Sequence, residues 1–286
     1  MKEIIQSIKG TRDFYPDEMV LRLWLYENMG RVSQLFGYQE YEAPFIEYMD
    51  LYAAKSGEEL VKEQSFVFQD RSGEWITLRP ELTPSLARMI AQKQQELTYP
   101  LRWWSFGPMW RYERPQKGRT REFFQWNIDL IGQDLAEADA ELAAVAASFF
   151  KAVGLKPSQI RISVNNRRLL DRQLDHLGFP KQGRAEILRL IDRREKMSQQ
   201  NWEIYARDTL KIEQTQINGI LNMLANQDLW KKSDELLRFF EAVSASGLQA
   251  YIDYSPAIVR GLDYYTGTVF EAHDVQNEFR AILGGG

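Results

Sequence analysis

The sequence contains no cysteine and only two histidines, His176 and His273. Without cysteine there can be no disulfide, no thiolate zinc site and no cysteine nucleophile, and two histidines are too few for a typical histidine metal cluster. No apolar run approaches the ~20 residues that a helix needs to cross a bilayer, and the N-terminal stretch lacks the apolar segment of a signal peptide. These absences predict a cytoplasmic protein with no membrane segment and no dedicated metal site.

Two further features are missing, a strong charge of one sign and a glycine-rich phosphate loop. The net charge is -4 over 286 residues, which argues against binding of nucleic acid over the whole surface. Neither a Gly-x-Gly-x-x-Gly nor a Gly-x-x-x-x-Gly-Lys-Ser/Thr pattern is present. Side chains must therefore hold any phosphate, and a local patch or another part of the protein must hold any nucleic acid.

Periodicity along the chain predicts strands first, then helices, then strands again. A helix is expected from Pro16 to Phe36, a hairpin at FVFQ and EWITLR, strands over 101–114 and 122–131, and a helix over 136–153. Such an order differs from the alternating pattern of a parallel doubly wound sheet. The sequence therefore predicts antiparallel strands, an inserted helical unit and then further strands, rather than a parallel sheet.

From about residue 165 the pattern becomes helical, and strand character returns near residue 247. Segments such as SDELLRFFEAVSASG have helical spacing, with Ser233 as an expected cap and Gly247 as an expected stop. We therefore predict three parts, namely the first part of a core at 1–164, an inserted helical unit at 165–246 and the second part of the core at 247–286.

The stretch WRYERPQKGRTREFFQW, residues 110–126, is locally basic in a mildly acidic protein. Five cations, Arg111, Arg114, Lys117, Arg119 and Arg121, stand against the two acids Glu113 and Glu122. A solvated loop is one interpretation, because charge runs usually lie in solvent. A phosphate site is the other, since the planar guanidinium donates two parallel hydrogen bonds and keeps its charge.

Alternation along the strand after this loop separates two faces. Apolar side chains point one way, at positions Phe124, Trp126, Ile128 and Leu130. Gln125, Asn127 and Asp129 point the other way. A solvent-facing surface would also be polar, but Gln and Asn are unusual on an exposed strand, so a bound polar ligand is favoured.

Two other segments carry candidate binding residues. In LRPELTP, residues 78–84, Glu81 and Thr83 share a face if the chain is extended, and they could receive an ammonium group. A turn with a helix cap at Thr83 explains the same residues equally well. VRGLDYYTGTVFE, residues 259–271, combines an arginine, a glycine, an aspartate and two tyrosines, although an ordinary strand entry would also fit.

In this order, the segments resemble those of class II histidyl-tRNA synthetases, over essentially the whole chain. GPMWRYERPQKGRTREFFQ is similar to motif 2 of the family, RGLDYYTGTVFE to its histidine-specific signature and LRPELTP to its amino-acid-binding stretch. KGTRDFYP resembles the family's N-terminus, and YEAPFIEYMDLY resembles motif 1, the dimer-forming element. Other class II synthetases share the arginine of motif 2, whereas the tyrosine-rich signature belongs to the histidine branch.

The resemblance implies an α+β fold of the class II synthetase type, with an antiparallel sheet flanked by helices, which agrees with the strand order above. It implies a ligase that activates L-histidine with ATP and transfers it to the 3' end of tRNA(His). It also implies Mg²⁺ on the ATP phosphates, with no all-protein cage in the sequence, and a homodimer formed through motif 1. The family continues beyond the point that corresponds to Gly286, into motif 3 and an anticodon-binding domain. We therefore expect these two parts to be absent from this chain.

The resemblance also assigns site residues by motif position. Arg111 and Arg260 would hold the α-phosphate and are the expected catalytic residues. The other ATP-binding residues would be Glu113 beside the nucleotide, Arg119 at the γ-phosphate and Phe123 on the adenine. The histidine-binding residues would be Glu81, Thr83 and Gln125 at the α-amino group, Asp129 and Tyr265 at the imidazole, and Tyr264 along the pocket. Several family members carry glutamate where this chain has Asp129.

A non-catalytic relative provides the main alternative. The regulatory subunit of ATP phosphoribosyltransferase resembles the synthetase core, lacks the anticodon-binding domain and senses histidine. A sensor has no need for the full ATP-binding set, whereas Arg111, Arg119, Gln125 and Arg260 are all present. The sequence therefore favours the synthetase over the sensor, and over another class II ligase.

Overall fold

A computed structural model describes five ranges of the chain, 4–53, 64–114, 118–260, 265–276 and 278–286. The contacts between α-carbons divide the chain into two compact units, Met1–Gln133 and Asp134–Gly286. The three-part division predicted from the sequence stays a prediction.

Nine α-helices and ten strands lie, in chain order, within the described ranges. The α-helices are α1 (Pro16–Leu35), α2 (Met49–Ala53), α3 (Thr83–Lys93), α4 (Ala136–Ala152), α5 (Arg167–His176), α6 (Arg184–Asp192), α7 (Gln199–Ile204), α8 (Gln214–Ala225) and α9 (Asp234–Ala245). The strands are β1 (Gln39–Glu40), β2 (Ile46–Tyr48), β3 (Phe66–Gln69), β4 (Trp75–Leu78), β5 (Leu101–Trp110), β6 (Glu122–Ile131), β7 (Ile160–Asn166), β8 (Ile252–Tyr254), β9 (Thr268–Asp274) and β10 (Leu283–Gly285).

The first unit contains two three-stranded sheets, ordered β1-β5-β6 and β2-β4-β3. β5 and β6 pair antiparallel along their whole lengths, from Leu101 opposite Ile131 to Trp110 opposite Glu122. The predicted hairpin of β3 and β4 is confirmed. The Asp70 carboxylate fixes its turn by accepting hydrogen bonds from the backbone amides of Ser72 and Glu74.

The apolar face of β6 packs on α1, as the alternation predicted. The guanidinium of Arg22 in α1 lies 3.5 Å from the ring centroid of Phe124. On the same face, the indole Nε1 of Trp126 donates to Ser33 Oγ of α1 at 3.2 Å. α1 therefore covers one side of the hairpin, and the face of Gln125 and Asp129 lies on the other side.

The second unit contains a four-stranded sheet ordered β10-β9-β7-β8. β7 and β9 pair antiparallel although the helical segment separates them in sequence. α4 packs against α9, and Arg238 of α9 binds both carboxylate oxygens of Glu137 at 2.8 and 2.6 Å. In the helical segment the fully buried Trp202 donates through its indole Nε1 to Leu190 O at 2.7 Å.

The predicted fold class, antiparallel sheets flanked by helices, is confirmed. Two strand pairs were not predicted. β1 pairs with β5, and β8 pairs with β7, both in parallel orientation. Among the described residues, no helix has both the length and the apolar character that a membrane crossing requires.

Candidate functional site

The polar face of β6 carries buried groups that call for a polar ligand. Gln125 Oε1 and Asn127 Nδ2 are buried and have no hydrogen-bond partner within the described residues. A buried polar atom without a partner costs free energy, and a bound water, ion or ligand can supply the missing hydrogen bond. Partial burial of Gln125, Asn127 and Asp129 favours the ligand interpretation of this face over the exposed-surface one, and Asn127 is added to the candidate residues.

Asp129 lies further along the same face and is paired with a tyrosine. The Tyr41 hydroxyl donates to Asp129 Oδ2 at 3.4 Å. Burial raises the pKa of Asp129 to about 6, and the hydrogen bond from Tyr41 acts in the opposite direction. Burial, followed by the charge of Asp129, raises the pKa of Tyr41 well above its ordinary range, so Tyr41 is a neutral donor. Near neutral pH the pair therefore presents an ionised carboxylate held by a phenol.

The predicted ATP-binding residues of the first unit lie together at the loop end of the hairpin. Arg111 donates through Nε to Pro80 O at 2.9 Å, and its guanidinium lies 5.2 Å from the ring centroid of Phe123. Glu113 accepts from Arg119 Nη1 at 2.9 Å and lies 4.0 Å from Arg111 Nη1. Two cations, one acid and a half-buried aromatic ring thus form a compact cluster that suits a phosphate attached to a flat base.

The segment between β4 and α3 differs from the extended chain that the sequence allowed. α3 begins at Thr83, with Leu82 at its N-cap position, so Thr83 is the first helical residue rather than the cap, and it is exposed. Glu81 precedes the helix, and its carbonyl accepts from the Tyr52 hydroxyl at 3.2 Å. Glu81 and Thr83 do not share a strand face, so their role at an ammonium group stays a prediction.

Arg79, in the same segment, is a structural residue that sequence reasoning missed. Its side chain is fully buried. Nη1 donates to Glu42 Oε1 at 2.6 Å and to Ala43 O at 2.9 Å, and Nε donates to Pro108 O at 3.0 Å. Arg79 therefore ties the chain before β2 and the end of β5 to the segment that leads into α3.

In the second unit, Arg260 forms an ion pair with Glu271 and lies near the ring of Tyr265. Its Nη1 lies 2.8 Å from Glu271 Oε1, and its guanidinium lies 5.6 Å from the ring centroid of Tyr265. Burial opposes the charge of Arg260, but Glu271 and Tyr265 outweigh burial and raise its pKa. His273 Nε2 lies 3.0 Å from the second oxygen of Glu271. Tyr264, predicted to line the pocket, lies outside the described residues.

The backbone that carries Arg260 is fixed by two polar side chains of β7 and α5. Asn165 Nδ2 donates to Pro256 O at 3.1 Å and to Ile258 O at 2.9 Å. Arg167 Nη1 donates to Val259 O at 2.7 Å and to Arg260 O at 3.0 Å. These bonds hold Arg260 at φ 45°, in the left-handed region that a non-glycine residue rarely occupies. Neither side chain has a sequence signal for this role.

Arg111 and Arg260 belong to different units, so their convergence on one substrate stays a prediction. No group of three or more His, Cys, Asp or Glu side chains with metal-binding geometry is found within the described ranges. The acids nearest the two arginines, Glu113 and Glu271, are both engaged in ion pairs. The described residues thus offer side-chain recognition of anions, but no protein cage for Mg²⁺.

Comparison with known proteins decides the family. The model of the histidyl-tRNA synthetase family matches residues 10–286.

The chain belongs to the histidyl-tRNA synthetase family.

Similar family members come from different lineages. A chloroplastic/mitochondrial histidine–tRNA ligase of Arabidopsis thaliana is 38% identical over 288 residues, which are 97% of this chain and 59% of that protein. A histidine–tRNA ligase of Leptospira biflexa is 37% identical over 294 residues, covering 98% of this chain and 67% of that protein. The chain thus spans about three fifths to two thirds of the length of these curated relatives.

Solved structures share the fold of this histidyl-tRNA synthetase family member. The histidyl-tRNA synthetase of Nostoc sp. superposes with a TM-score of 0.85 at 24% identity, over 97% of this chain and 67% of that one. An ATP phosphoribosyltransferase regulatory subunit/histidyl-tRNA synthetase from Bacillus halodurans gives a TM-score of 0.84 at 21% identity, over 100% of this chain and 76% of that one. At these identities the likeness concerns the fold alone.

Proposed function

We propose that the chain belongs to a histidine–tRNA ligase, which joins L-histidine to AMP with release of pyrophosphate and then transfers it to tRNA(His). The polar face of the β5–β6 hairpin carries this proposal. Guanidinium groups beside Phe123 occupy one end, and Asp129 follows on the same strand. Six residues of extended chain place these ends roughly 20 Å apart, which suits a nucleotide beside an amino acid.

The first step needs no protein nucleophile, in keeping with a sequence that lacks cysteine. A carboxylate oxygen of histidine forms a bond to the α-phosphorus while the bond to the bridging oxygen of pyrophosphate breaks. The protein contributes by positioning two anions and by stabilising the charge that develops on phosphoryl oxygens. Arg111 has the donors for this role, with Arg119 further along the phosphates and Phe123 stacked on the adenine. Arg260 is proposed to reach the same α-phosphate.

Recognition of the amino acid is assigned to Gln125, Glu81 and Thr83 at the α-amino group and to Asp129 and Tyr265 at the imidazole. The unpartnered Oε1 of Gln125 is an acceptor, as an ammonium group requires. An ionised Asp129 is also an acceptor and can receive a ring N–H. Tyr264 is assigned to the pocket by motif position alone.

The remaining family properties are proposals with less support from this chain. They comprise the transfer step on tRNA(His), a homodimer formed through motif 1, and a place in the cytoplasm. Mg²⁺ on the ATP phosphates is expected of the family, but no step is assigned to it, because the described residues provide no cage. The sensor alternative is not favoured, since the relatives at 34 to 38% identity are named ligases.

Substitution of Arg111 tests the proposal. In the protein that contains this chain, Arg111→Ala should reduce histidine-dependent exchange of pyrophosphate into ATP by about 100-fold or more, because a donor to the α-phosphate is lost. Arg111→Lys keeps the charge but loses the fork, and should recover part of the rate. The control is Arg71→Ala, at the exposed hairpin turn, which should exchange normally.

Two results would contradict the proposal. Unchanged exchange in Arg111→Ala would remove the α-phosphate role of this residue. Exchange that requires an amino acid other than L-histidine, or no exchange at all in the unsubstituted protein, would remove the assigned activity.

A further inference from the structure

Tyr41 is placed at the polar face of the hairpin by strand order. It follows β1, which pairs with β5, and its own amide donates to Trp104 O at 2.9 Å. Its ring lies 5.5 Å from the ring of Trp103, centroid to centroid. Trp103 stands directly opposite Asp129 in the β5–β6 register. The three-strand order β1-β5-β6 therefore brings the Tyr41 hydroxyl over the central strand to Asp129.

Packing fixes the ring of Tyr41 in that position. The ring packs against a buried apolar cluster formed by Ala43, Leu82 and Met109. Phe123, the proposed adenine platform, packs against the same cluster. A ring in contact with both Trp103 and this cluster has little freedom, so its hydroxyl is held in one direction.

We propose that Tyr41 is a specificity-determining residue, which holds one oxygen of Asp129 so that the other oxygen accepts a ring N–H of L-histidine. The inference rests on the proposed function, in which Asp129 contacts the imidazole. Because the Tyr41 hydroxyl occupies Oδ2, the carboxylate is fixed in orientation and offers Oδ1 purely as an acceptor. A ligand of the same shape without a ring N–H would leave that buried acceptor unsatisfied.

The pair also sets the pH at which recognition fails. A protonated Asp129 would carry an O–H and lose its preference for an N–H donor. Burial favours that protonated form, whereas the bond from Tyr41 favours the ionised form. The charged groups that act on Tyr41 besides Asp129 are Glu42 and Arg79, and both stay in place when only the hydroxyl is removed. Loss of the hydroxyl should therefore raise the pH below which the affinity for L-histidine falls.

Calorimetric titrations of Tyr41→Phe, from pH 5.5 to 8.5, test the inference. The variant should bind L-histidine about 5- to 10-fold more weakly at pH 7, since Asp129 loses the donor that orients it and favours its ionised form. As the pH is lowered, its affinity for L-histidine should begin to fall at a higher pH than in the unsubstituted protein. The KM for ATP should not change. 1,2,4-Triazole-3-alanine keeps a ring N–H but is not protonated near neutral pH. Its affinity should show the same shift with pH, without a contribution from titration of the ligand itself.

Tyr26→Phe provides a matched control. The Tyr26 hydroxyl also donates to a carboxylate, Glu40 Oε1, at 2.7 Å, and its ring packs on Trp104 and Phe106. Removal of this hydroxyl should leave histidine affinity and its pH profile unchanged. A second probe, 2-thienylalanine, has a similar shape but no ring N–H. The unsubstituted protein should discriminate strongly against it, and Tyr41→Phe should discriminate less.

The outcomes separate this inference from the proposed function. If Tyr41→Phe matches the unsubstituted protein in affinity and pH profile while Asp129→Asn weakens histidine binding, the role of Tyr41 is overturned and the proposed function stands. If Asp129→Asn binds normally, the imidazole contact of the proposed function fails first. Equal weakening toward histidine and ATP with no pH shift would show a merely structural tyrosine and would also overturn the inference.

Discussion

At the scale of single residues, Arg79 shows how a buried charge can hold a site segment in place. Replacement by methionine keeps the volume but leaves the buried carbonyls of Ala43 and Pro108 without their donor. We expect Arg79→Met to lower the free energy of unfolding by about 3 kcal/mol, as measured by urea denaturation. Glu42→Gln is the control, because Glu42 has 48% of its side chain exposed, and should change stability by less than about 1 kcal/mol. Equal losses of stability in Arg79→Met and Glu42→Gln would show that the ion pair, rather than the hydrogen bonds to the carbonyls, provides the stabilisation.

Candidate site residues could be named from the sequence only where the local spacing of residues indicates them. Arg111 and Glu113 follow directly after the end of β5, so alternation and motif position were enough to name them as candidates. Tyr41 was missed, because its contact with Asp129 depends on the order of three strands and on packing over Trp103. Thr83 remained ambiguous for a related reason, since prolines on both sides fit an extended chain and a helix start equally well.

At the scale of elements, Asn166 joins the starts of two helices. Its Oδ1 caps α5 by accepting from Leu169 N at 3.0 Å, and its Nδ2 donates to Glu235 Oε2 of α9 at 2.6 Å. Asn166→Asp keeps the cap but turns the second contact into repulsion between two carboxylates. We expect a loss of about 2 kcal/mol at pH 7 that shrinks toward pH 4 as either acid is protonated. Urea denaturation across this pH range measures it.

The cap of α9 provides the comparison for that experiment. The Ser233 hydroxyl accepts from Leu236 N at 3.4 Å, as the sequence predicted. Ser233→Ala should cost about 1 kcal/mol, and the cost should not vary between pH 4 and 7. A pH-independent loss in Asn166→Asp would contradict the repulsion between residues 166 and 235.

Long periodic elements were predicted well and short ones were not. α1, β5, β6 and α4 were predicted within a few residues of their ends, because each has several turns or alternations of pattern. β1 has two residues and β8 three, too few for any period, and their parallel pairing is set by distant parts of the chain.

At the scale of the whole molecule, the division into units follows contacts that no local pattern reveals. The sequence suggested a boundary where the composition becomes helical, near residue 165. That boundary stays a prediction, and the α-carbon contacts form two compact units that meet after Gln133, where β7 pairs with β9 across the helical segment within Asp134–Gly286. A long-range strand pairing of this kind depends on closure of the intervening chain, and neither flank of the segment encodes it alone.

Each unit contains an aspartate whose pKa is raised to about 6, Asp129 in the first and Asp139 in the second. Burial is the main cause in both cases. Because the unfolded value is about 3.9, the stabilisation from the protonated form is complete below about pH 4 and is lost as the pH rises through 6. At pH 7 both groups therefore lower stability. The proposed contact with the imidazole of histidine gives a reason for this cost at Asp129.

Replacement of each aspartate by the neutral asparagine tests whether the loss of stability at pH 7 is linked to ligand binding. Asp129→Asn and Asp139→Asn should each raise the free energy of unfolding by about 1 kcal/mol at pH 7 and leave it unchanged at pH 4. Urea denaturation curves measure the increase in the free energy of unfolding. Hydrogen exchange of peptides from each unit shows which unit is stabilised. Asp129→Asn should also weaken L-histidine binding, because a neutral amide oxygen is a weaker acceptor for the ring N–H than an ionised carboxylate. A variant with higher stability and full histidine affinity would show that Asp129 is not kept for this ligand.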